Sequence, residues 1–218
     1  TNKTEHEYKS VESYTFVNNF HDVAANTALG TYGHRVITHN LFDKSITESD
    51  YNYHLQFGDT VHTDYTNKPK DKLKHAVANA TVDYDNKKNV SSYPESRVSL
   101  QSSTRFLHDD DVGSYGIDAI EDSRKTAERV SQRNQVVHGT VLKLVVKGQS
   151  YIQAGDLIEF NIRPIDTQDP EPRDPRFAGN YIVTKVRHKI ASSEYKMILE
   201  CAKDSSYQPL STGTTKWK

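Results

Sequence analysis

The stretch that decides the fold is Asn180-Tyr181-Ile182-Val183-Thr184-Lys185-Val186-Arg187-His188-Lys189-Ile190, then Ala191-Ser192-Ser193, then Glu194-Tyr195-Lys196-Met197-Ile198-Leu199-Glu200-Cys201-Ala202. Apolar and charged residues alternate along both arms, the two-residue period of strands with one buried face. In the first arm Ile182, Val186 and Ile190 fall on one side with His188, while Lys185, Arg187 and Lys189 fall on the other. In the second, Tyr195, Met197, Leu199 and Cys201 oppose Lys196 and Glu200. The three-residue link is short enough for an antiparallel hairpin. Across it, Lys185, Arg187 and Lys189 meet Glu194, Lys196 and Glu200, either as cross-strand charge pairs or as a wet surface.

The same alternation extends upstream. Leu142, Leu144 and Val146 share a face within Thr140 to Val146, and Ile158, Phe160 and Ile162 oppose Glu159, Asn161 and Arg163 within Leu157 to Arg163. Lys147 to Ser150 and Gln153 to Asp156 read as turns, and Pro164 to Phe177, with four of the seven prolines, as an extended exposed link. Residues Asp118 to Asn134 read as a helix, with acids early and arginines late as the helix dipole favours. Its stripe (Ile117, Ile120, Ala127 and Val130, interrupted by Ser123) is narrow. Residues 116–204 therefore predict a helix followed by a four-stranded, barrel-like antiparallel sheet, apolar on one face and charged on the other, which either curls into a barrel or completes its core with something outside this stretch.

The first half is more polar. Phe16, Phe20, Val23, Ala24 and Ala28 fall at helical steps, with Gly30 as a C-cap. His34 to His39 and Tyr51 to Phe57 read as strands, the latter with Tyr51, Tyr53, Leu55 and Phe57 on one face. Thr66 to Ser96 has no sustained period and reads as a flexible excursion, most loop-like at Asn86 to Asn89. The expected organisation is an inserted or appended polar α+β domain over 1–115, the helix-and-barrel domain over 116–204, and a tail over 205–218 that is disordered or docks on a partner. The fold class is α+β, mainly β.

The C-terminal third resembles the hub module of contractile-tailed bacteriophage baseplates, which also occurs in type VI secretion spike proteins. The resemblance lies in a Gly-x-Tyr-x-Val-x-x-Val-x-His strand, here Gly179, Tyr181, Val183, Val186 and His188, preceded by a strand beginning Gly155-Asp156 and reaching Phe160. Upstream, Gly30 to Gly33 followed by Val36 to Lys44 is similar to the inserted domain of long-tailed phage hubs. The resemblance implies a non-catalytic part of the virion tail baseplate, a homotrimeric ring of barrel-like tube domains joining the tail tube to the puncturing spike. Tail-tube, baseplate and spike proteins are then the partners, and DNA is only passing cargo. Lys185, Arg187 and Lys189 become candidate lumen-facing residues. A complete hub carries a further N-terminal half, so a chain opening on Thr1 is expected to be a fragment of a longer one.

Composition narrows the alternatives. The chain has 218 residues, 34% of them hydrophobic, a formal net charge of −1 and one cysteine. A near-neutral chain lacks the cationic excess of a general nucleic-acid binder. One thiol excludes an internal disulfide framework and a multi-thiolate metal centre. No apolar run approaches the ~20 residues of a membrane helix or forms a signal segment. Cys201 is expected to be an inert inward thiol. His34, His39, His54 and His62 lack zinc-site spacing, and His108 to Asp111 lacks the distal Glu of a calcium loop. No cofactor is expected, and the Asn2, Asn79 and Asn89 sequons read as chance. Two other classes remain open: a β-rich adhesin recognising a glycan or protein, suggested by 13 tyrosines, and a histidine-based metal hydrolase.

Overall fold

A computed structural model describes residues 10–18, 23–41, 44–64, 81–83, 85–86, 88–103, 119–164, 173–174 and 176–207. The protein is mainly β with few helices, an α+β chain whose largest element is a curled antiparallel half-barrel sheet. The strands are β1 (Val11–Asn18), β2 (Gly33–Asn40), β3 (Ile46–Asn52), β4 (Thr81–Asp83), β5 (Lys88–Asn89), β6 (Val98–Ser103), β7 (Thr140–Lys147), β8 (Leu157–Phe160), β9 (Gly179–Ala191) and β10 (Glu194–Lys203). The helices are α1 (Val23–Ala28), α2 (Tyr53–Gln56) and α3 (Ala119–His138).

Two compact units emerge, and their sequences interleave. One comprises Thr1–His21, Val61–Val77 and Val136–Lys218; the other comprises Asp22–Thr60 and Ala78–Gln135. This division differs from the expected boundary near residue 115, because the sheet recruits a strand from the start of the chain and a short segment from its middle.

The first unit holds the five-stranded sheet, in the order β1-β7-β10-β9-β8, antiparallel throughout. Its edge strand β1 corrects the helical reading of Phe16. Tyr14 and Phe16 lie opposite Leu144 and Leu142, so pairing with the open side of β7 puts both aromatics on the apolar face. The hairpin turn between β9 and β10 forms where expected, with Ala191 opposite Glu194. Strand β8 is shorter than expected and ends at Phe160. The core comprises Leu142, Leu144, Val146, Phe160, Tyr181, Val183, Met197, Leu199 and Cys201, with Phe16, Ile152, Ile158, Ile162 and Val186 packed against it.

The tail expected from residue 205 begins later. Ser205 and Ser206 are buried in this unit, and residues 208–218 lie outside the described set.

The second unit is built on the sheet β3-β2-β6, with β2 antiparallel to β3 and parallel to β6. The expected strand over Tyr51 to Phe57 breaks at Asn52. Its side-chain oxygen accepts from the His54 and Leu55 N–H groups, and its own N–H donates to Gln56 Oε1, so a reciprocal cap starts α2. Tyr53 and Phe57, one helical turn apart, are then buried, while Leu55 is exposed.

Helix α3 forms where expected but continues past Asn134 to His138, and its last turns bury Ala127 together with the polar Ser131, Asn134 and Gln135. Each polar member has a partner: Ser131 donates to the Thr31 carbonyl, Asn134 to the Leu29 carbonyl, and Gln135 to Ser131 Oγ and the Tyr51 hydroxyl. Part of the expected excursion is ordered. Strands β4 and β5 pair, and Val90 and Ser91 are buried. Residues 65–80, like Ile117 and His108 to Asp111, lie outside the described set.

Candidate functional site: the two faces of the curled sheet

The motif strand β9 does not alternate straight through. Cys201 faces Val183 and Glu200 faces Lys185, leaving Thr184 as the extra residue of a β-bulge. A bulge reverses the parity of every residue beyond it. Tyr181 and Val183 before it therefore share the core face with Val186 and His188 after it, and Ile182 turns to the opposite face with Lys185, Arg187 and Lys189. The expected grouping of Ile182 with Val186 and His188 is corrected accordingly. The two-residue gap in Val-x-x-Val is the written trace of the bulge.

The motif residues surround the base of the sheet. Gly155 (φ +102°) turns the chain into β8, and its N–H donates to the Val183 carbonyl, while Val183 N–H donates to the Asp156 carbonyl. The Asp156 carboxylate closes the turn by accepting from Gln153 N–H at 2.7 Å. Phe160 meets Tyr181 edge-on, with ring centres 6.1 Å apart, and the buried Tyr181 hydroxyl donates to the Phe177 carbonyl. Burial, with the nearby acids, pushes the Tyr181 phenol above its ordinary range. Gly179 has φ +126°, and a Cβ there would overlap the Asp64 carboxylate. His188 stands on the exposed half of the hairpin, stacked on Tyr195 with its Nδ1 2.8 Å from that residue's hydroxyl. Cys201 is fully buried, and desolvation pushes its thiol up to about 12.

The other face is polar and runs in rows across β9, β10 and β7. Lys189, Lys196 and Lys147 stand side by side, then Arg187, Ile198 and Val145, then Lys185, Glu200 and Lys143. Cross-strand charge pairing accounts for Lys185, whose ammonium lies 2.8 Å from Glu200. It does not account for Lys189, which opposes another lysine, or for Arg187, which opposes Ile198. Like charges directly opposed oppose folding. Lys196, between two other lysines, is held by carboxylates: Glu12, 2.8 Å away, and then Glu194 raise its pKa. This face presents six cations to its surroundings.

A buried polar cluster, unforeseen from the sequence, fastens residues 61–64 to the ends of β9 and β10. His62 Nδ1 donates to Asp204 Oδ2 at 2.8 Å, and both side chains are almost fully buried. Thr63 donates its N–H and its hydroxyl to Asp204 Oδ1, and Asp64 N–H donates to Ser205 Oγ. Burial alone would raise the Asp204 pKa, but the His62 and Thr63 hydrogen bonds outweigh it and hold the group below the usual carboxylate value. Beside it, Lys203 Nζ donates to the Ala178 carbonyl at 2.7 Å, and Asp64 Oδ1 accepts from Asn180 N–H at 2.7 Å. Lys203 carries a signal that sequence can show. It continues the inward row Met197, Leu199, Cys201, and a charge at such a position needs a buried partner.

The histidines considered as metal ligands are dispersed. His34, His39 and His54 belong to the second unit and His62 to the first. His34 is buried, stacks on Tyr51 and bonds the Gly30 carbonyl through Nδ1, and burial lowers its pKa. Among the described residues no group of three or more His, Cys, Asp or Glu side chains is placed to hold a metal ion. No helix among them is long and apolar enough to cross a membrane. Comparison of the sequence with models of known families and with curated proteins finds no match.

Proposed function

We propose that this chain is a structural, non-catalytic component of a contractile-tail baseplate hub, acting as one member of a homotrimeric ring between the tail tube and the spike. The observation that carries the reading is the curled antiparallel sheet with unlike faces, one closed by apolar packing and the other carrying five lysines and an arginine among Glu200, Ile198 and Val145. Such a wall suits a water-filled channel, with Lys185, Arg187 and Lys189 toward the lumen and DNA as transient cargo. The ordered motif from Gly155 to His188 and its bulge support the same reading. Among the described residues the sheet ends at β1 and β8 with no further strand beside them, and copies can continue it there. Sedimentation analysis and negative-stain microscopy of the full chain at high concentration test this. The expected result is a trimer forming three-fold rings with a central channel, and a strict monomer overturns it.

A further inference from the structure

Lys203 and Asp64 face each other in a closed compartment. Each side chain is 2% exposed, and Nζ lies 3.8 Å from Asp64 Oδ2. The Tyr181 ring covers the ammonium, 5.1 Å from its centre. On the far side of the carboxylate, Asn180 N–H points at Oδ1. Gly179 supplies the space, since any Cβ there would overlap the carboxylate. The approach is fixed from both ends: His62, Thr63 and Ser205 hold residues 62–64 against Asp204, and the Ala178 carbonyl holds Nζ. A buried ion pair of this kind is a poor source of stability, because desolvation of both charges offsets their attraction.

We propose that Lys203 and Asp64 condense without a catalyst into an intramolecular side-chain amide, a covalent clamp between the end of β10 and the segment before residue 65. The proton of the ammonium passes to the carboxylate, leaving a neutral amine and a neutral acid. The Nζ lone pair adds to Cγ, and the negative charge develops on Oδ1, where the Asn180 N–H already stands as an oxyanion donor. The Cγ–Oδ2 bond then breaks, and Oδ2 leaves as water with a second proton from the nitrogen. Ammonium plus carboxylate becomes amide plus water, with no oxidant and no co-reactant.

Three features favour the step. Burial brings the Lys203 pKa down to about 8 against the pull of Asp64, Asp174 and Asp204, so free amine is available near neutral pH. The two groups are held face to face, with Nζ 3.8 Å from Asp64 Oδ2, so their encounter needs little further ordering. The product replaces two buried charges with a neutral amide.

The test is the intact mass of the full chain under denaturing conditions, followed by proteolysis and peptide sequencing. The expected chain is lighter than its sequence by one water and yields one branched peptide joining Lys203 to Asp64. Lys203→Arg and Asp64→Ala each restore the full mass. Asp64→Asn forms the same branched peptide with loss of ammonia in place of water. Wild-type protein at full sequence mass after prolonged incubation at mildly alkaline pH, with only linear peptides, overturns the proposal. So does a water loss that persists in Lys203→Arg, which would place the dehydration within Asp64 itself. Both refuting readouts can be taken on wild-type or folded protein, so a variant that fails to fold leaves the proposal falsifiable.

Discussion

Deleting Thr184 is expected to leave the motif strand in register. With Val183 opposite Cys201 and Lys185 opposite Glu200, Thr184 is the one residue of β9 that the ladder does not use. Its removal joins Val183 to Lys185, after which Tyr181, Val183 and Val186 point inward in simple alternation with Ile182, Lys185 and Arg187. The loss comprises the Thr184 hydroxyl's bond to the Glu200 carbonyl, 2.9 Å long and exposed, and some local twist, together about 1 kcal/mol. Deleting Ile182, two residues earlier, has a different consequence. Val183, now 1% exposed, turns outward and Thr184 takes its place in the core. That forfeits the burial of a valine and puts a hydroxyl in apolar surroundings, about 3–6 kcal/mol in sum. Urea unfolding of the two deletion variants separates them through their midpoints at common slope. Equal losses, or a larger loss for the Thr184 deletion, would mean that β9 alternates without a bulge, and the assignment of its two faces would be refuted.

The same geometry sets other expectations. Gly179→Ala forces a side chain to adopt φ +126° against the Asp64 carboxylate, so thermal unfolding should show a loss of at least about 1–3 kcal/mol, and an unchanged midpoint contradicts that contact. Asp204 has a folded-state pKa below its ordinary 3.8, so its contribution is fully present above that value and is lost as pH falls through the lower folded value. Asp204→Asn should therefore be less stable at neutral pH by about 1–3 kcal/mol and show a shallower loss on acidification, and parallel pH–stability curves would exclude this role. Cys201, with its thiol pushed up to about 12, should resist aromatic disulfide reagents at pH 8 until the protein unfolds, and rapid stoichiometric labelling of native protein would show an open core.

Strands β7, β9 and β10 and the helix α3 could be read from the sequence because each buries one regular face, and period 2 or charge order survives in the text. Where the reading failed, two periods or two uses of a residue competed. Phe16 fits a helical step toward Phe20 and a strand step from Tyr14, and only the unpaired side of β7 decides between them. Tyr51, Tyr53, Leu55 and Phe57 alternate like a strand, yet Tyr53 and Phe57 also stand one helical turn apart, and the Asn52 side chain settles the matter by capping. The exchange of faces in β9 comes from one unpaired residue, which alternation alone assigns to the wrong side. The cluster of His62, Asp64, Lys203 and Asp204 joins residues some 140 positions apart, with 141 between the Thr63 and Asp204 partners. No spacing rule spans that distance, and only the inward parity of Lys203 hints at it.

The strand at the centre of the large sheet, β10, is also the last of its strands to be synthesised. On the ribosome β1 and β7 can meet early, but both β7 and β9 keep an open side until residues 194–203 emerge from the exit tunnel. The sheet is thus finished from its middle, after the rest of its wall has been translated. Its long-range pairings must wait for that release, which makes for slow folding and for a nascent chain with sticky edges that benefits from chaperone cover.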